Sequence, residues 1–225
     1  WIKEAGFPHF DILYTKEVGD KYEVRIKQTP RFNEIKYTNV VAKVTAFSAD
    51  WQRHDVQVVL MNSQQSFVIN CPFEPVYWSF DFDDLISDAV TTDWAVIVDN
   101  TPITMSQGMM KKITANVSPR DSILLRVEHH WAPADGTYGA PTGAVISRQR
   151  YWTVDGIWED DVQISSEIIY SGLTTNSADY GYLDNELIRI TEDSLVLLYR
   201  PNGTSAWEVC ADYTKNMGSL FDKRG

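Results

Sequence analysis

Between Tyr22 and Gln28 the chain alternates strictly: Tyr22, Val24 and Ile26 fall on one side, Glu23, Arg25 and Lys27 on the other. Successive side chains on a strand point to opposite faces, so the pattern predicts a half-buried β-strand. Runs of the same kind follow in NVVAKVTAF, VQVVLMN, SFVIN, VYWSFDF and DWAVIV. No segment sustains a helical period with caps, and DDLISDAV offers a turn or two at most.

A second series of strand-like runs comprises KITANV, SILLRVEHHW, AVISRQRYWTV, VQISSEIIYSG, ELIRI, SLVLLYR and AWEVCADY. Turn chemistry separates them at Ser118-Pro119-Arg120-Asp121, Ala134-Asp135-Gly136, Asp155-Gly156 and Pro201-Asn202-Gly203. Between the two series, residues 99–111 lack alternation and contain Pro102 and Gly108, which reads as a linker. A sheet with one apolar face needs another layer to cover it. The expectation is therefore an all-β chain of two consecutive antiparallel β-sandwiches, immunoglobulin- or fibronectin-like, spanning 1–98 and 112–225.

Composition narrows the function. With 225 residues, 44% of them hydrophobic, the chain can bury a substantial core. Its net charge of -11 disfavours nucleic acid, whose backbone is gripped by clustered Lys and Arg. No apolar stretch is long enough to span a bilayer as a helix. Two cysteines, Cys71 and Cys210, make no disulfide framework, and their placement in different predicted units favours free thiols.

The first residues carry the most specific pattern. Trp1, Gly6 and Pro8 form W-x-x-x-x-G-x-P, and Gln28, Arg31 and Phe32 form Q-x-x-R-F at the end of a strand. This resembles the β-sandwich that follows the catalytic domain of M1-family zinc aminopeptidases. The resemblance covers about the first 95 residues, and it implies a structural role for those six positions. The zinc centre of such enzymes needs H-E-x-x-H, in which two His bind the metal and the Glu activates its water. No His-Glu pair occurs in this sequence. The implied reading is a non-catalytic accessory region whose partner is its own upstream peptidase domain, where the zinc would reside. RVEHHWAPAD, RQRYWTVDGI and LVLLYRPNGTSAW resemble the β module of secreted Bacteroidetes proteins, which implies type IX export and an extracellular or cell-surface location.

Other chemistry is weaker. His129 and His130 are adjacent on a predicted strand and point to opposite faces, so they cannot share one metal ion. His130 is expected beside Glu128 and Arg126, and His129 beside Val127 and Trp131. Arg148, Arg150 and Trp152 share a face, which predicts cross-strand pairing or Arg-on-Trp stacking. Trp131, Tyr138 and Trp158 are candidates for an aromatic platform for glycan or peptide, with Trp158 nearest the surface; core packing is the competing reading for the aromatics. Acidic groups occur at Asp81, Asp83 and Asp84, and at Asp179, Asp184 and Glu186. Calcium at the latter is disfavoured, because the spacing matches no EF-hand loop.

Overall fold

A computed structural model describes residues 6–31, 36–117, 122–170, 184, 186–187 and 195–215. The described chain is all-β, with antiparallel pairing throughout and no helix. Strands β1 (Phe10–Val18) and β2 (Lys21–Gln28) form a hairpin, and β5 (Gln64–Ile69) adds to β2. Gly19 closes the hairpin turn with φ 65, a left-handed conformation that glycine adopts without a Cβ clash. A second sheet has the order β4 (Arg53–Leu60), β3 (Val40–Phe47), β6 (Tyr77–Phe80).

The alternation read from the sequence becomes packing here. Val24 and Ile26 of β2, Phe10 of β1 and Ile69 of β5 meet Val40, Val44, Val58 and Leu60 of β3 and β4 in one buried cluster. The polar side of β2 remains outside, where Arg25 and Glu23 face the Tyr14 hydroxyl. This is the first pair of sheets closed over a common core.

The second pair consists of β7 (Val90–Ile97), β10 (Ile123–His130) and β11 (Tyr151–Ile157), with β10 central, and β8 (Ile103–Met105), β9 (Met110–Ala115) and β12 (Ile164–Ile168), with β9 central. Leu125 and Val127 point from β10 into a core completed by Ile97, Met105, Met110, Ile113 and Ala115. A short ribbon pairs β13 (Leu198–Tyr199) with β14 (Glu208–Val209).

The expected boundary at Val98 falls elsewhere. β7, placed by sequence in the first unit, pairs with β10 from Val90↔His130 to Ile97↔Ile123. Residues 99–111, expected to be a linker, carry β8 and the start of β9. A strand pairs where its backbone hydrogen bonds and its apolar face are satisfied together, and Ala95 and Ile97 fit the second core. A third buried cluster, Phe47, Tyr77 and Phe82 with Leu124 and Ile157, joins the two sheet pairs.

Asp155-Gly156, expected as a turn, lies inside β11 opposite Arg126 and Leu125. The glycine serves a close approach: a Cβ at Gly156 would overlap the Leu124 carbonyl and crowd the Trp158 ring. Pro201-Asn202-Gly203 does turn, with the Asn202 side-chain oxygen accepting from the backbone N–H groups of Thr204 and Ser205. The Gly203 N–H reaches the Leu13 carbonyl at 3.0 Å, where a bulge interrupts the β1–β2 register. Of the other expected turns, 118–121 lies outside the described residues, as does most of ELIRI.

Candidate functional site: a polar seam between the sheet pairs

The face of β10 opposite its core side carries Arg126, Glu128 and His130, the grouping expected from alternation. This face is turned toward the first sheet pair, and strand neighbours extend it with Thr92 on β7 and with Tyr151, Thr153 and Asp155 on β11. The result is a polar layer between two apolar cores.

At one end, the backbone before β1 inserts into the seam. The Ala89 N–H donates to the Pro8 carbonyl at 2.7 Å, and the Trp131 N–H donates to the Ala89 carbonyl at 2.9 Å. His9 is thereby buried next to His130, with Nε2 of His9 and Nδ1 of His130 2.9 Å apart. His130 Nε2 lies 2.9 Å from the Thr153 hydroxyl and 3.6 Å from Glu128 Oε2. The Tyr151 ring stacks on the His130 ring, with centroids 4.3 Å apart, and its hydroxyl donates to Asp11 Oδ2 at 2.5 Å.

At the other end, Arg126 is almost fully buried. Its Nε donates to Glu128 Oε1 at 2.7 Å, its Nη1 to the Phe82 carbonyl at 2.8 Å and its Nη2 to Asp84 Oδ1 at 3.2 Å. Between the two ends lies a cavity of about 710 Å³ whose walls include Asp11, Asp88, Glu128, Asp155, Tyr77 and Trp207.

Burial sets the protonation of this layer. A charged group surrounded by protein loses hydration, so acids are pushed up and imidazoles down. Burial raises Asp11 to about 7 against the opposing bond from Tyr151, Asp88 to about 8 and Asp155 to about 6. Glu128 is also pushed up by burial, although Arg126 pulls it the other way. His9 is lowered to about 3 by burial, reinforced by Lys27 and Arg31, and His130 is lowered well below its ordinary value by burial and by the neighbouring His9. At neutral pH the histidines are uncharged acceptors and donors, and Asp11 and Asp88 titrate near neutrality. Carboxyls of this kind can hold and release protons in the physiological range.

Of the amino-terminal pattern, Gly6, Pro8, Gln28 and Arg31 lie among the described residues. Pro8 is fully buried, and Gly6 has φ 105. Gln28 clamps the Tyr37 backbone, donating through Nε2 to its carbonyl at 2.9 Å and accepting its N–H at 2.7 Å. Arg31 donates to the Gln149 carbonyl at 3.1 Å and lies over the Trp131 ring. Trp1 and Phe32 lie outside the described residues.

The aromatic platform does not assemble. Trp131 follows β10 and Trp158 follows β11, and antiparallel pairing puts these positions at opposite ends of the two strands. Trp158 is half-buried against the second core, Trp131 donates to the Thr91 hydroxyl at 3.0 Å, and Tyr138 alone is widely exposed, at 75%. His129 packs between Trp131 and Trp152, with ring centroids at 4.2 and 5.0 Å, and neither of its nitrogens has a hydrogen-bond partner among the described residues. Arg150 stacks over Trp152 at 4.7 Å, as expected from their spacing.

The acidic groups are held by cations and backbone N–H groups. Asp83 pairs with Arg53 and Lys43, Asp81 accepts the Ile86 N–H, and Asp184 pairs with Arg150. Glu186 accepts the Arg148 N–H, and Asp179 lies outside the described residues. No group of three or more metal-ligating side chains forms among the described residues. Cys71 and Cys210 are free thiols.

Sequence reasoning missed His9, Asp11, Asp88 and Asp155. The signal available was the alternation of Tyr151, Thr153 and Asp155 with Trp152 and Val154, which marks a second polar face on a strand already rich in aromatics. Comparison with protein-family models, with curated proteins and with solved structures gives no match.

Proposed function

We propose that this chain is a non-catalytic β-sheet support of a larger secreted protein, of the kind that follows the catalytic domain in M1-type zinc aminopeptidases. The observation that supports it is where the motif residues act. Arg31 ties the end of β2 to Gln149 and Trp131 of the second sheet pair, and Pro8 bonds Ala89 at the seam. The motif thus couples both sheet pairs into one unit able to carry a neighbouring domain. Zinc and peptide cleavage belong, in this reading, to the domain before Trp1, and export to the cell surface follows from the module after it.

The test is the natural gene product. The reading frame ahead of Trp1 should encode H-E-x-x-H, and removal of residues 1–225 should lower the thermal stability of the catalytic domain without removing its zinc. Peptidase activity from residues 1–225 alone would overturn the proposal.

One observation favours a second reading, a binding module. The seam cavity combines aromatic rings and carboxyl groups at a junction between layers, where ligand sites commonly form. Equilibrium binding of short peptides and oligosaccharides, abolished by filling the cavity with Ser79→Trp, would move this reading ahead of the first.

A further inference from the structure

We propose that the His9–His130 hydrogen bond is an acid-released clasp, holding the amino-terminal strand entrance against the second sheet pair and letting go when the imidazoles take up protons.

The geometry permits one proton between the two rings. His9 Nε2 and His130 Nδ1 stand 2.9 Å apart, both rings are buried, and one nitrogen must donate while the other accepts. A second proton would place two cations in contact within a layer that supplies little countercharge. The groups facing His9 are His130 from β10 and Tyr151 from β11, whose hydroxyl also bonds Asp11 of β1, with Lys27 and Arg31 adding positive potential. Those facing His130 are His9, Tyr151, Thr153 and Glu128, with Arg126 and His129 close on β10 itself. Glu128 Oε2 stands 3.6 Å from His130 Nε2 but shares its charge with Arg126, and Asp11 accepts from the Tyr151 hydroxyl, so no carboxyl serves the pair alone.

What the clasp holds is defined by three backbone bonds. Ala89 N–H to Pro8 O, Trp131 N–H to Ala89 O and Thr29 N–H to His9 O run through the same junction. One of them is accepted by His9 itself and one by its neighbour Pro8, and the third continues from Ala89 to Trp131. Lowered imidazole affinity for protons in the closed form means that acid favours the open form, by about tenfold per pH unit for each histidine that must charge.

Amide hydrogen exchange on the whole chain, corrected for intrinsic exchange, tests this between pH 7 and 4, above the range in which the whole fold loses stability to acid. Protection of Ala89, Thr29 and Trp131 should fall by about tenfold or more per pH unit in the acid range, while Val44 and Leu125 in the two cores keep theirs. In His9→Gln the amide side chain cannot charge, and the acid loss at Ala89 and Trp131 should be at most half as steep. Equal acid loss in wild type and His9→Gln, or parallel loss at Val44 and Leu125, would overturn the clasp. Should His9→Gln fail to fold, ring NMR of the wild-type chain decides: imidazoles that titrate together with the Ala89 and Trp131 amides support the clasp, and imidazoles that titrate near 6.5 with those amides still protected refute it.

Discussion

The guanidinium of Arg126 lies 5.0 Å from the Phe82 ring and donates to the Phe82 carbonyl at 2.8 Å, so a charged side chain of the second sheet pair is seated on the backbone that leaves the first. Arg126→Met removes that donor and takes the buried cation from half-buried Glu128 and from Asp84. Breaking a buried pair from one side costs about 3–5 kcal/mol, and urea unfolding should register a loss of that size. A change below about 1 kcal/mol would show that the seam contributes little to stability.

Gln28 presents the opposite case, a neutral side chain that completes backbone bonding. Its amide satisfies both the N–H and the carbonyl of Tyr37. Gln28→Ala removes both of these buried bonds and should cost about 2 kcal/mol, read as a lowered urea midpoint. Gln28→Glu sets a carboxylate oxygen against the Tyr37 carbonyl in a buried site and should cost at least as much.

His129 is a polar ring in an aromatic slot, held neutral because burial lowers it to about 3. Phe retains the stacking and carries no nitrogen to desolvate. His129→Phe should therefore be at least as stable as wild type at pH 7 by thermal melting, since replacing an unpartnered polar group by an apolar one of similar shape is neutral or favourable. A loss above about 2 kcal/mol would mean that the ring nitrogens are satisfied in solution.

At Gly156 the constraint is steric. Gly156→Ala would drive a methyl into the Leu124 carbonyl across the β10–β11 pair. Overpacking of this kind typically costs about 1–3 kcal/mol, and differential scanning calorimetry should show a clear drop in Tm. An unchanged Tm would indicate that the two strands part easily here.

Stability should have a broad optimum in mildly acidic solution. His9 and His129 are lowered from 6.5 to about 3, so their contribution is complete above 6.5 and is lost as pH falls toward 3; His130 acts in the same direction. Asp155, Asp11 and Asp88 are raised from 3.8 to about 6, 7 and 8, so their contribution is present below 3.8 and is lost as pH rises through those values. Between 3.8 and 6.5 the two sets oppose each other. Below that window the histidines continue to change, joined by Glu23, which its bonds to Lys16 and Ser66 lower to about 2, and by Asp55, Asp83 and Asp99, which are also lowered; above it, Asp11 and Asp88 still lose protons. Thermal melts from pH 3 to 9 should give a plateau in the middle and a fall on both sides, and a maximum at pH 8 or above would contradict the assignment.

Period-two alternation in runs such as YEVRIKQ and SILLRVEHHW was sufficient to identify the all-β class and most strand positions, because the pleat sorts neighbouring side chains onto opposite faces whatever the strand pairs with. It also separated His129 from His130 and joined Arg150 to Trp152, relations that depend only on local spacing. Partner choice is a different quantity. That β7 joins β10, that Gly156 extends a strand, and that His9 meets His130 across 121 positions depend on which apolar faces close together, and no local pattern encodes that. The seam is likewise a product of tertiary structure: Asp11, Asp88 and Asp155 are ordinary acids in the sequence, and only their enclosure between two cores changes how readily they hold a proton.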